Sequence, residues 1–449
     1  MLMLRRKLWL TVGILLAVGI ASAVPASAAQ PGPVSSVAVN WTPQLATSGT
    51  DGSVEIVRQL VPCGANMYAV GKFTQIKRFS TVYNRNNAFS FNATTGVVTS
   101  WDPNVNGTVN SVALTADCSV AYLGGLFTNV HGTTVKNITA VSTATGAVIP
   151  GFGSSAGGQV SALLRSGGHL LVGGYFSSIN NSARKYMASL NLTTGADDGY
   201  VNLNISGNYV YTDEQGRPNK PNASRVYNFT LSPDGTKLLA MGVFTSVGGV
   251  GRRQIFMLDL GPTSATVNPW YSTEFDVNCM PVQPFWLQDA SWAPDMSKIY
   301  IATTGYKPAR GPAYYTFNPR SGLCDVTAAY PTTPGLVRNL WINHTGCDSL
   351  YSTAADANTV YIGGHHRWVD NTFGCDRKGT GATDSPGMSG LDPTTGKIKA
   401  GFNPTKGRGL GATDMLVTDA GLWIASDNQA NVNQCAGSFN HSGICFLPY

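Results

Sequence analysis

Apolar residues in this chain alternate with polar ones in short runs, and after residue 20 no stretch sustains a helical period. One phrase recurs: an apolar, β-rich run that ends in one or two small residues and is often closed by an aromatic. It reads Tyr68-Ala-Val-Gly-Lys-Phe73, Tyr122-Leu-Gly-Gly-Leu-Phe127, Leu171-Val-Gly-Gly-Tyr-Phe176 and Leu239-Ala-Met-Gly-Val-Phe244, with weaker copies ending at Tyr306, His366 and Asp427. Measured at Phe73, Phe127, Phe176, Phe244, Tyr306, His366 and Asp427, the copies are 54, 49, 68, 62, 60 and 61 residues apart. Such a period marks a repeat architecture.

Each unit has the same order. An alternating strand such as Val109–Thr115 precedes a turn, and the recurring phrase supplies a second strand. A third strand ends in Asn92-Ala-Thr-Thr-Gly96, Ser142-Thr-Ala-Thr-Gly146, Asn191-Leu-Thr-Thr-Gly195 or Asp392-Pro-Thr-Thr-Gly396, where glycine supplies positive φ. A fourth strand carries an aromatic: Trp101, Phe152, Tyr200, Trp270, Trp341 or Phe402. Four short strands per unit predict an all-β, seven-bladed β-propeller. Six fourth strands serve seven units, so the segment around Val39-Asn-Trp-Thr-Pro43 is expected to join the C-terminal strand near Ile444–Leu447 and close the ring. The paired small residues are expected to let neighbouring backbones approach closely.

Composition adds the compartment. Arg5, Arg6 and Lys7, an apolar run and Ala26-Ser27-Ala28 form a secretory leader over residues 1–28, leaving a propeller over 29–449 with no further span of membrane length. Removing the leader lowers the formal charge from +6 to +3, and no basic stripe suggests nucleic acid. Eight cysteines in an exported chain predict disulfides. Cys63 and Cys118 occupy equivalent places in two repeats. The simplest remaining pairings are Cys279–Cys324, Cys347–Cys375 and Cys435–Cys445, although spacing alone does not fix connectivity.

Candidate chemistry concentrates where the sixth phrase changes its ending to His365-His366-Arg367-Trp368-Val369-Asp370, with Lys406 and Arg408 in a loop leading to the next unit. His366, Arg367, Trp368, Asp370, Lys406 and Arg408 form the candidate ligand site. His366 with Asp370 or Asp348 has the chemistry for acid–base or metal work, against a plainer role in packing between blades. Hydrolase-elbow, zincin and EF-hand patterns are absent, so no cofactor or metal is assigned, and structural calcium has no specific support. Trp368, Tyr175 and Tyr306 fall at strand ends or loops where a sugar ring could stack.

The Gly-Gly-x-Phe phrases, the Thr-Thr-Gly turns and the fourth-strand Trp-x-Pro resemble delta-60-type repeats. In order, Thr303-Thr-Gly305, Leu323-Cys-Asp325, Trp341-Ile-Asn-His-Thr-Gly346, Tyr361-Ile-Gly-Gly-His-His-Arg-Trp368 and Gly421-Leu-Trp-Ile-Ala-Ser-Asp427 are similar to signposts of a secreted actinobacterial propeller family. That family is often fused to polycystic-kidney-type (PKD) or carbohydrate-binding domains. The resemblance implies an exported propeller and no particular catalytic residues. Two departures stand out: His366 replaces a common glutamine, and no appended domain precedes Tyr449, so binding is expected to fall to the propeller itself. The functional expectation is a secreted, monomeric, non-catalytic protein that binds a glycan or an extracellular or envelope protein. The alternative is an exported propeller enzyme, either a metal-assisted oxidase or a polysaccharide-cleaving enzyme.

Overall fold

A computed structural model of the chain describes residues 32–46, 54–209, 223–277, 285–305, 322–402, 404, 411–428 and 441–449. The expected leader, Cys279, Cys435, Tyr306, Lys406 and Arg408 lie outside them. The described chain is all-β apart from one short 3-10 turn at Thr273–Asp276. Seven antiparallel sheets follow one another. Their first strands are Ile56–Cys63, Thr108–Leu114, Gln159–Ser166, Arg225–Leu231, Trp286–Trp292, Leu350–Ala355 and Asp414–Thr418. Each pairs with the strand built on the recurring phrase, which pairs in turn with a third strand. The first strands touch in cyclic order, and that of the seventh sheet packs against that of the first.

Burial has the same cyclic form. Seven apolar clusters fill the structure, and each is sandwiched between consecutive sheets. The last joins Trp423, Ala425, Ile444 and Phe446 of the seventh blade to Val57, Leu60, Met67 and Phe89 of the first. Closure also uses the N-terminal segment: Val39 N–H donates to the Phe446 carbonyl at 3.0 Å and Ser35 N–H to that of Pro448 at 2.7 Å. The ring therefore leaves no blade without a neighbour, which removes the open edge a linear array would expose.

The small residues of the recurring phrase act through close approach. A Cβ on Gly124 would lie 2.5 Å from Val160 of the next blade, and one on Gly363 would lie 2.5 Å from Ala412. Gly396, at φ +68°, sits against the Trp341 ring of the preceding blade, whose indole N–H donates to the Pro393 carbonyl at 3.1 Å. Trp101 and Trp270 make the same bond to Ser142 and Pro331. These three tryptophans thus staple their blades to the following turn.

Two details differ from the sequence expectation. Full fourth strands form only in the fourth and fifth blades, at Ala265–Val267 and Trp341–His344. In blades one, two, three and six the fourth position is a single bridge, such as Phe91 with Val98, because the chain turns there to bury its aromatic between blades. Secondly, the loops after the phrase contain small hairpins, among them Gln75–Arg78 with Thr81–Asn84 and Trp368–Val369 with Thr383–Asp384. Their polar, irregular sequences hide the pairing.

Cys63–Cys118 and Cys347–Cys375 are disulfides, as the spacing suggested. Cys324 and Cys445 are disulfide-bonded as well.

Candidate functional site

The sixth-repeat residues are held by the protein itself. His366 is fully buried at the position that Phe73, Phe127, Phe176 and Phe244 occupy in other blades. The backbone pattern is shared: the carbonyl of Phe73 accepts from Asn87 N–H, that of Phe127 from Asn137, and that of His366 from Gly387. Its Nε2 lies 2.8 Å from the Ser389 hydroxyl, which also bonds Ser385. Arg367 grips Asp348 with Nε at 2.9 Å and an Nη at 3.0 Å, reaches Asp376 at 2.5 Å, and stacks over Trp368 at 4.2 Å. Asp370 takes φ +55° and joins Asn343, the Ile398 N–H and Lys397. His344 is buried, and desolvation, aided by the Lys397 charge, pulls it down to about 4, so it is neutral at physiological pH. Arg367 and Trp368 meet, whereas His366 and Asp370 turn to separate partners.

A different place gathers solvent-facing chemistry. The first strands of all seven blades surround a central channel of about 960 Å³, within the size range of small-ligand sites, roughly 300–1,000 Å³. None of the described sixth-repeat candidates lines it. Each of the first six inner strands contains a β-bulge at the same point, beginning at Val57, Val109, Val160, Val226, Leu287 and Leu350. A bulge leaves one residue out of the ladder and re-aims it. Those residues are Arg58, Asn110, Ser161, Tyr227, Gln288 and Tyr351, and every one lines the channel. Trp286, Gln159 and Arg225, at the first pairing positions of their strands, surround the same end together with Tyr175, which is 51% exposed.

The following residue of each inner strand ties the ring together. Gln59 accepts from Val112 N–H at 2.7 Å, Ser111 from Leu163 N–H at 2.9 Å, and Asp289 from Thr353 N–H at 2.8 Å. Asp414 accepts from Leu60 N–H at 2.8 Å, which joins the last blade to the first. These side chains satisfy N–H groups on the outer side of each innermost strand, which no strand of the same sheet reaches, where leaving them unmade would cost about 1–3 kcal/mol each. The belt is interrupted at Ala162. There the fourth blade supplies its own acceptor, Asn228 to Phe229 N–H, and the Phe229 ring packs against Gly173. Burial pushes Asp289 up to about 7, reinforced by the Asp414 charge, and pushes Asp414 up to about 6.

Three solved propellers show how far the comparison reaches. The chain covers 91% of itself and 98% of U3-55K at 8% identity and TM-score 0.48. Against the WD40 repeats of RRP9 the figures are 92%, 99%, 8% and 0.48, and against the WD40 propeller domain of Doa1 they are 87%, 98%, 12% and 0.43. No protein-family model and no curated protein matches the chain.

Sequence reading singled out Tyr175 among these channel residues and missed Arg58, Asp289 and Asp414. A signal existed: a charge inside an inner strand of an otherwise low-charge chain calls for a partner or a function. Their convergence had no signal, because the residues lie up to 356 positions apart.

Proposed function

We propose that this chain is a binding protein that recognises a glycan in the central channel of its propeller. The observation that supports this reading is the channel wall, where Tyr175, Trp286 and Tyr351 share the lining with the amides of Asn110, Gln159 and Gln288. Aromatic faces take the apolar side of a sugar ring while amides answer its hydroxyls, and a polar-aromatic mixture of this kind fixes orientation in small-ligand sites. The leader-like N-terminus, the disulfides and the resemblance to secreted actinobacterial propellers support an encounter outside the cell. The ring of staples and belt bonds supplies a rigid frame, so little ordering is needed on binding.

The test is a glycan array and polymer pull-down with the mature chain, alongside a variant carrying Trp286→Ala and Tyr175→Ala. Saturable binding that the double variant loses, with unfolding midpoint retained, is the expected result. Retention only on envelope proteins, unchanged in the variant, would refute the channel as the glycan site. A second reading, polysaccharide cleavage, draws on the raised carboxyls of Asp289 and Asp414, since such groups cluster at active sites. It ranks lower because both carboxyls are occupied by backbone N–H groups of adjacent blades. Release of reducing ends from a bound polymer would promote it.

A further inference from the structure

We infer that the channel selects a sugar chain bearing carboxylates, with Arg58 as the residue that reads the charge. The inference rests on the glycan reading above and deepens it. Among the six bulge residues that line the channel, Arg58 alone is charged. Its five N–H donors have no hydrogen-bond or ion-pair partner among the described residues, whereas the bulge residues Asn110 and Gln288 are bonded to Val160 and Thr304. Water reaches the side chain, yet the surrounding walls desolvate it enough to pull its pKa down. A cation held in a concave, partly desolvated site without a counter-charge is poised for an anion, and the planar guanidinium fork fits a carboxylate in two parallel hydrogen bonds. Arg225, on the inner strand of the fourth blade, brings a second guanidinium to the same cavity, also without a carboxylate partner among the described residues.

The channel's own acids form no ion pair with either arginine. Asp289 and Asp414 are half-buried in the wall, and each directs an oxygen to a backbone N–H of the next blade. Nor do the walls suit a bare anion: Trp286, Tyr351 and Tyr175 offer ring faces and Gln288 an amide beside the arginines. A hexuronic acid residue has both parts, a pyranose ring for the aromatics and a carboxylate for the fork.

The experiment uses the whole mature chain and calorimetric titration with oligogalacturonate, oligoglucuronate and oligomannuronate, each beside its neutral methyl ester. A ten-residue polyglutamate peptide serves as a second anion. The expected result is saturable binding of at least one oligouronate, roughly 10- to 100-fold tighter than its ester. Arg58→Gln should abolish the preference for acid over ester while leaving the unfolding midpoint unchanged. Arg58→Lys should recover part of the preference. Equal affinity for acid and ester would overturn the inference while leaving glycan binding intact. Binding of polyglutamate without any oligouronate would overturn it in favour of an acidic protein partner. Failure of every oligouronate to bind overturns it, and the glycan reading falls separately only if neutral glycans fail as well.

Discussion

Asp289 makes the stability of the ring depend on pH in a direction that can be calculated. Its carboxyl accepts from Thr353 N–H at 2.8 Å and from the Asn228 amide at 2.9 Å, is half-buried in the channel wall, and is pushed by desolvation up to about 7. In an unfolded chain the same group titrates near 3.9. Between those values the folded protein holds a proton that the unfolded chain has lost, so stability falls as pH rises through the window and is lowest above it. A displacement of about 3 pH units at ~1.4 kcal/mol each sets an upper bound of roughly 4 kcal/mol for this residue. Asp414, pushed up to about 6 by burial, adds in the same sense. Replacing Asp289 with asparagine removes the titration but keeps an acceptor for one of the two donors, at a pH-independent cost of about 1 kcal/mol. The assay is urea unfolding of both proteins from pH 4.5 to 8.5. The wild type should lose stability toward alkaline pH more steeply than Asp289→Asn. By pH 8.5 the variant should have gained up to about 3 kcal/mol relative to its deficit at pH 4.5, since roughly 1 kcal/mol of the total is already lost by pH 4.5. Parallel curves would refute the reasoning, since they would mean that the half-buried carboxyl ionises as easily as an exposed one.

Three further outcomes follow from the rim and the staples. Arg367→Met should destabilise by roughly 2–3 kcal/mol, less than the ~3–5 of a fully buried pair, because it strands Asp348 while the guanidinium itself is partly exposed; Arg367→Lys should recover only part of this in thermal unfolding. His366→Phe should stay within about 1.5 kcal/mol of wild type, because phenylalanine fills this position in other blades, whereas His366→Ala should cost about 3 kcal/mol. Loss of ligand binding by a well-folded His366→Phe protein would restore a direct role for the imidazole. Replacing Cys63 and Cys118 together with serine opens a loop of 55 residues and should cost about 4 kcal/mol on chain entropy. Calorimetry without reductant would read that loss, and an unchanged midpoint would show that the two blades hold together without the bond.

The sequence by itself determined the blades. Alternation, a phrase repeated every sixty or so residues and a fixed turn glycine are local properties, and side-chain period together with positive φ suffices to read them. It even placed His366 in line with Phe73 and Phe127, which is why its burial in the fold is intelligible. It led to the N-terminal segment as a neighbour of the last strand, since one fourth strand was missing from the count, and that segment meets it through two backbone hydrogen bonds without itself forming a strand there. What only the tertiary structure decided was which side chains face one another across the ring. The bulges that turn Arg58, Asn110, Ser161, Tyr227, Gln288 and Tyr351 to the channel leave no mark in an alternating pattern, because a bulge inserts one residue without changing the composition around it. The sixth-repeat cluster illustrates the converse. Residues adjacent in sequence looked like a site, but successive positions on an extended chain diverge, so His366 went to the core, Arg367 to Asp348, and Asp370 to the outer edge of the blade.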